Sequence, residues 1–210
     1  MLAAAVQEFA ENGIAGARID QIAKRARVNK QALYYHFGNK EKLFQAALSS
    51  VYEQFRVDRT DLESATSSPV DSMKTLVAAI FDHVRDHEDG TAIIGHENRL
   101  HGDHLTPNVR KLVRRAVAPM ISAISTTLKR GQTQGSFSRT VDPIQLYLTI
   151  ISLCMFNFTN AFTLSAIVGR ELLSKPALIA RKRHVISFVL AGLRANDFQN
   201  STRRLKLRRR

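Results

Sequence analysis

Six of the eight residues from 29 to 36 carry side chains that can donate hydrogen bonds. Asn29 is a favoured N-cap, so a helix is predicted to begin directly after it. Leu33 and Phe37, four residues apart, then share its buried face. The opposite face presents Lys30, Gln31, Tyr34, Tyr35 and His36. Donors so closely spaced on one helical face are suited to phosphates and base edges.

A second apolar pattern lies directly before this helix. Ile19, Ile22, Ala23 and Ala26 recur at i, i+3, i+4 and i+7, which predicts another short helix. Val28 follows as a turn residue that can fill a small core. Two short helices of this kind predict a helix-turn-helix, whose second helix enters the DNA major groove.

The same stretch resembles a known protein family. The segments IDQIAKRARV and LYYHF, followed by Lys40 and Leu43, resemble the DNA-binding domain of TetR-type transcriptional regulators over residues 2–48. The resemblance implies an all-α fold with an N-terminal three-helix helix-turn-helix domain at residues 1–48. It further implies a larger helical domain for effector binding and dimerisation at residues 49–196.

The chain departs from the family pattern at the ends of the first motif helix. Ala17 and Arg18 stand where Thr or Ser usually caps that helix, and Arg27 stands where the turn usually has Gly. We expect Arg27 to adopt a positive φ with its guanidinium turned to solvent. The chain also starts almost within the family's first helix.

Contacts with double-stranded DNA are assigned to eight residues. The resemblance implies that Tyr34, His36 and Lys40 touch phosphate, and Asn29 is able to do the same. Lys30, Gln31 and Tyr35 point most nearly into the groove, where Gln suits adenine and Lys suits guanine. Arg18 is expected to be a longer-reaching phosphate contact, whereas Lys24 and Arg25 are interpreted as a solvated face.

Composition favours a polyanionic partner. The chain has 210 residues, a net charge of +13 and a pI near 10.5. Such a charge attracts nucleic acid first and anionic membrane second. Residues 197–210 are basic and are expected to be disordered.

The C-terminal part of the chain is predicted to be helical. A cap followed by proline opens helices at Ser68, Thr106 and Asp142, and Pro119 is expected to kink or break the second of these. The stretch 144–168 is apolar on nearly every face, and the final helix, 176–193, has two apolar stripes. Such a wide apolar surface favours a homodimer over a single monomer core. The predicted interface is Ile151, Phe158, Leu178, Val185, Phe188 and Val189.

An effector pocket is implied by the family resemblance, because such regulators bind an inducer between the helices of the second domain. An apolar wall with a few polar groups has the usual character of a ligand site. The candidate lining residues are Phe81, His96, Asn98, His101, Met120, Phe156, Asn157 and Asn160.

Other chemistry has little support. His83 and His87 have a spacing that can bind zinc, but no recurrent zinc signature is present, and we expect no metal or other cofactor. No catalytic motif organises a nucleophile with a base, so no enzymatic activity is expected. The N-terminus has no basic region of a signal peptide, and a single cysteine, Cys154, suits a reducing compartment. A cytoplasmic, nucleoid-associated location is expected.

These observations predict a dimeric, ligand-released repressor that reads an inverted-repeat operator. Two alternatives remain open. One is a basic architectural or RNA-binding protein without an effector, and the other is a peripheral membrane protein that uses residues 144–168 and the basic tail.

Overall fold

The computed structural model describes residues 1–54, 67–138 and 140–194. In these ranges the regular structure is entirely helical, which confirms the predicted all-α fold. The predicted basic tail, residues 197–210, lies outside the described residues. The helices are α1 (Leu2–Gly16), α2 (Ile19–Ala26), α3 (Lys30–Phe37), α4 (Lys40–Gln54), α5 (Pro69–Asp86), α6 (Glu88–Arg99), α7 (Pro107–Thr133), α8 (Pro143–Thr159), α9 (Ala161–Val168) and α10 (Lys175–Arg194).

The described residues form two compact units. The first holds residues 1–54 and 82–119, and the second holds residues 67–81, 120–138 and 140–194. Helices α5 and α7 each contribute residues to both units. Pro119 lies at the change of unit, and α7 continues through it rather than ending there. The predicted functional boundary at residue 48 stays a prediction.

Aromatic packing forms the centre of the first unit. The rings of Phe9 in α1 and Phe44 in α4 meet edge to face at 5.0 Å, and both are fully buried. Ile22 of α2 and Leu33 of α3 belong to the same buried cluster. Burying one such side chain contributes about 1.5–3 kcal/mol, so this cluster can hold the two short helices in place.

Helix α1 changes direction at Gly13. Gly13 has φ 62° and ψ 177°, and one further helical turn follows to Gly16. A Cβ at Gly13 would lie 3.0 Å from the His96 ring, so both the backbone angle and the space favour glycine.

The long apolar stretch from 144 to 168 is two helices and not one. Helices α8 and α9 meet at Asn160 with a bend of 77°. The Asn160 side chain donates to the Phe156 carbonyl at 3.2 Å and to Thr159 Oγ1 at 2.9 Å. Among the described helices, none is by itself long and apolar enough to cross a membrane, and only this bent pair meets that criterion together.

In the second unit, the Phe137 ring packs closely against Gly131 near the C-terminal end of α7. A Cβ at Gly131 would lie 2.0 Å from the Phe137 ring, which is 2% exposed. The N–H groups of Ser136 and Phe137 both donate to the Gly131 carbonyl, at 2.8 and 3.1 Å. Glycine at 131 therefore lets the chain fold back against its own helix.

The turn between α2 and α3 holds the strained residue that the sequence predicts. Arg27 has φ 55° and ψ 42°, the left-handed conformation, and its side chain is exposed. Its N–H donates to the Lys24 carbonyl, as expected of a residue that ends a helix.

We expect Arg27→Gly to raise the free energy of unfolding by about 1 kcal/mol, because glycine adopts this conformation without the Cβ penalty. Urea unfolding measures the change. Arg27→Ala is the control, since it removes the guanidinium but keeps the Cβ. A clear loss of stability in Arg27→Gly would contradict the strain.

Candidate nucleic-acid interface

Helix α3 is held with one face buried and the other in solvent. Asn29 accepts a hydrogen bond from the Ala32 N–H at 2.8 Å, which confirms it as the N-cap. Leu33 is buried and Phe37 is half-buried. Gly38 ends the helix with φ 81°, and Asn39 then caps α4 by accepting from the Lys42 N–H at 2.8 Å.

The outer face of α3 is centred on Gln31 and Tyr35, which lie almost opposite Leu33 on the helix. Tyr35 is 87% exposed, the largest exposure among the large apolar side chains of the described residues. Its ring packs edge to face on His36 at 5.4 Å. Tyr34 is 46% exposed and lies at the side of the helix. An aromatic ring with so little protein around it is available to a partner.

Lys30 points away from this outer face. Its ammonium lies 2.7 Å from the carboxylate of Asp20 in α2. This hydrogen bond is the main reason why the pKa of Lys30 is raised above its usual value. The sequence places Lys30 in the groove with Gln31 and Tyr35 but does not identify Asp20 as its partner.

A buried carboxylate substitutes for the missing cap of α2. Arg18 occupies the N-cap position without a side-chain cap. Its N–H instead donates to Glu8 of α1 at 3.1 Å, and Glu8 is only 3% exposed. Glu8 lies among the buried residues Ala4, Ala5 and Phe9 of α1, and a carboxylate on this apolar face is the sequence signal that identifies it.

Two of the cations near the motif contact α1. Arg25 donates to Glu11 at 2.9 and 2.5 Å and lies 3.6 Å from Glu8. The hydrogen bond from Arg25 also lowers the pKa of the Glu11 carboxyl. Lys40, expected at phosphate, donates to the carbonyl of Ala15 at 3.2 Å. Arg18 and His36 have exposed side chains.

The two parts of the chain match two models of one family. Residues 1–47 match the model described as bacterial regulatory proteins, tetR family, and residues 69–189 match the tetracyclin repressor-like C-terminal domain. The chain belongs to the TetR family of transcriptional regulators.

Individual relatives agree with this assignment. The transcriptional repressor NicS of Pseudomonas putida strain KT2440 is 33% identical over 196 residues, which is 92% of this chain and 91% of NicS. A tetR-family regulatory protein from Rhodococcus RHA1 has a similar structure, with a TM-score of 0.72 and 20% identity over 93% of this chain and 96% of that chain. The regulator FadR of Bacillus subtilis, solved with stearoyl-CoA, has a TM-score of 0.63 and 17% identity over 91% and 96% of the two chains.

The residues that the TetR resemblance assigns to an effector pocket fall in both units. Phe81, Met120, Phe156, Asn157 and Asn160 belong to the second unit, and His96, Asn98 and His101 belong to the first. A cleft of about 530 Å³ in the first unit is lined by α1, α4 and residues 85–90, and none of the eight residues lines it. A single pocket formed by all eight stays a prediction.

Within the second unit the five pocket candidates differ in burial. Phe81, Met120 and Asn157 are buried, and the Phe81 ring packs on Phe158 at 5.5 Å. Phe156 is 55% exposed, and the side chain of Asn160 donates a hydrogen bond to the Phe156 carbonyl at the end of α8. The buried members are therefore the better candidates for an effector site.

Three histidines of the first unit, His83, His87 and His96, contact neighbouring groups of the protein. The rings of His83 and His87 stack at 4.1 Å, and burial, followed by the neighbouring His87, lowers the pKa of His83 to about 4. His96 lies 3.1 Å from the Ala10 carbonyl and accepts from Arg99. In the described ranges, no group of three or more His, Cys, Asp or Glu side chains is arranged to hold a metal.

The predicted dimer residues are not all at the surface. Val185 and Val189 are 0% and 4% exposed, because they face the interior of the second unit, and Phe158 packs on Phe81. Phe188 is 56% exposed, and Ile151 and Leu178 are half-buried. The structure adds an exposed apolar stripe on α8, formed by Ile144, Leu148 and Phe156.

We expect Asp20→Asn to release Lys30 and to add positive potential beside the recognition helix. The salt slope for a nonspecific duplex, log Kobs against log salt, should become steeper by about one, because one more cation is free for phosphate. Fluorescence anisotropy over a salt series measures the slope.

Glu41→Gln is the matched control. It removes an exposed carboxylate from the first turn of α4, and Glu41 forms no ion pair with the described Lys and Arg residues. Equal slopes for the two variants would mean that only net charge changed and that Asp20 does not restrain Lys30.

Proposed function

We propose that this TetR-family regulator is a homodimeric repressor that binds an inverted-repeat operator through α3 and is released by a small-molecule effector. The main support for DNA binding through α3 is its outer face, where Tyr35 is 87% exposed, whereas the opposite face of the helix is buried. The close relative NicS is named a transcriptional repressor, which supports repression. We place the protein in the cytoplasm at the nucleoid, and we assign it no catalytic role.

Base reading is assigned to Gln31 and Tyr35, which lie farthest from the buried face. Glutamine can form two hydrogen bonds with adenine, and a tyrosine ring can pack on a thymine methyl group. Tyr34, His36, Arg18 and Asn29 surround them and are assigned to phosphate, which sets the register on the duplex. Lys30 is paired with Asp20, and Lys40 is hydrogen-bonded to the Ala15 carbonyl. Both lysines leave these partners when they bind DNA.

A homodimer would place two recognition helices on one face of the duplex. We assign its interface to the exposed stripe Ile144, Leu148 and Phe156 of α8, together with Phe188 of α10. Ile151 and Leu178, half-buried, flank these residues. A two-fold interface makes the operator an inverted repeat, with half-sites about one helical turn apart or a multiple of it.

Release by an effector requires that the ligand prefer one of two states. We propose that a ligand in the second unit favours a state whose two α3 helices no longer match the half-sites. FadR, which shares this fold, was solved with stearoyl-CoA, and this supports a ligand-responsive second unit.

Selection of genomic fragments by the purified protein at near-physiological salt tests operator reading. We expect one inverted repeat, and we expect Gln31→Ala and Tyr35→Ala to erase it, because a good base contact is worth about 1–3 kcal/mol of discrimination. Lys24→Ala, an exposed position on α2, is the control and should keep the motif. Strong binding without any preferred sequence would instead support the architectural alternative.

Leu148→Glu should weaken the dimer by about 100-fold or more, because each protomer would bury a charge without a partner. Sedimentation velocity over a concentration series measures the dissociation constant. Ile167→Glu on α9 is the matched control, since Ile167 is also apolar and exposed, at 72%. A dimer that resists Leu148→Glu, or no dimer in the parent protein, would contradict this interface.

A further inference from the structure

Besides the hydroxyl of Ser72, two hydrogen-bond donors in the second unit are buried without an acceptor, and both are side-chain nitrogens. Asn157 is 6% exposed, and its Nδ2 has no partner. The Nε of Arg181 is also buried and unpaired. Buried polar groups are almost always paired, because an unpaired one loses its bonds to water without replacement. Two such donors in one unit therefore require an explanation.

Both donors occupy positions where helical spacing places apolar side chains. On α8 the buried line Leu146, Ile150 and Cys154 continues to Asn157. On α10 the buried line Val185, Val189 and Leu193 is preceded, at the same four-residue spacing, by Arg181. An apolar residue at either position would extend the core, so the polar side chains are not explained by packing.

The two donors lie at the same end of the α8–α10 pair. Arg181 Nη2 donates to the carbonyl of Leu153 at 2.8 Å. In an α-helix the carbonyl of residue 153 faces the N–H of residue 157, so the guanidinium lies at the turn that carries Asn157. At the other end, the Ser138 N–H donates to the Leu193 carbonyl at 3.2 Å, so the two helices are antiparallel.

The charge of the second unit favours an anion at this place. Its described residues include nine Lys or Arg and three Asp or Glu. Asp71 is bound to Lys74, and Asp142 caps α8. Within the described ranges, Arg181 has no carboxylate at ion-pair distance. A partly buried guanidinium without a counter-ion is suited to an anionic ligand.

We propose that the effector is a monocarboxylate, whose carboxylate accepts hydrogen bonds from Arg181 Nε and Asn157 Nδ2. Its apolar body would lie along the side chains of the same unit, where Phe158 packs on the buried Phe81. Two unpaired donors and one cation match a carboxylate better than a phosphate, which carries more charge and more acceptors. The proposal rests on the proposed ligand-released function and names the chemical class of its ligand.

Thermal unfolding and titration calorimetry of the full chain with benzoate and octanoate test the class of ligand. At about 10 mM, a carboxylate that binds with a millimolar dissociation constant should raise the melting temperature. Benzamide, which is neutral, should not raise it, and phenyl phosphate should bind at least about tenfold more weakly than benzoate. Failure of both carboxylates, or equal binding of phenyl phosphate, would overturn the proposal.

Variants test whether these two residues form the site. Arg181→Gln should weaken carboxylate binding by about tenfold or more, whereas Arg183→Gln, at an exposed position of the same helix, should leave it unchanged. If Arg181→Gln does not fold, Arg181→Lys is used instead. It keeps the positive charge but loses the Nε donor, so it should bind the carboxylate with an affinity between those of the parent protein and a variant without the charge. Unchanged binding in the variants at 181 would overturn the assignment.

Asn157→Leu provides a readout that needs no ligand. It should leave the melting temperature of the ligand-free protein unchanged or higher, because it replaces an unpaired amide with an apolar group, while it weakens carboxylate binding. A lower melting temperature would show that the amide has a partner within the protein and would overturn its role. Operator binding without carboxylate should persist in all variants, and its loss would count against the proposed function instead.

Discussion

The burial of Phe9 against Phe44 is the contact on which the DNA-binding helices depend. Helices α2 and α3 have eight residues each, and helices so short are not stable alone in water. Their position comes from Ile22 and Leu33, which are buried in the aromatic cluster. Local hydrogen bonds then set the ends of the helices, but they could not by themselves keep the outer face of α3 in one orientation.

In the first unit, the contacts that individual basic side chains make matter as much for DNA binding as the net charge does. The chain is strongly basic, yet several cations of the helix-turn-helix already have a partner: Arg25 contacts Glu11, Lys30 contacts Asp20, and Lys40 contacts a backbone carbonyl. Exposed ion pairs and hydrogen bonds of this kind are weak, so DNA phosphate can replace them. They do influence where each cation points before DNA arrives. Net charge predicts attraction to nucleic acid, whereas these pairs affect which side chains are ready to make the contact.

In the second unit, the two faces of the apolar helix α8 have different surroundings. One face of α8 is buried within the chain, and the face with Leu148 is exposed. A helix that is apolar all round must be covered on both sides, and a partner subunit is the cover that we propose. The polar exceptions on the buried side, Asn157 and the facing Arg181, carry the proposed effector site. Dimerisation and ligand recognition would then use opposite faces of the same helix, which offers a physical route between them.

The sequence by itself determined the all-α class, the helix-turn-helix, the N-cap at Asn29 and the left-handed turn at Arg27. The helix-turn-helix and the N-cap follow from local spacing and residue preference, whereas the all-α class and the left-handed turn at Arg27 follow from the resemblance to the TetR pattern. Tertiary structure alone decided that Glu8 supports the N-terminus of α2, that Asp20 holds Lys30, and that Val185 and Val189 face inward rather than toward a partner. It also divided the apolar stretch from 144 to 168 at Asn160. These features depend on which helices meet and at what angle, and periodicity along one helix contains no information about its neighbours.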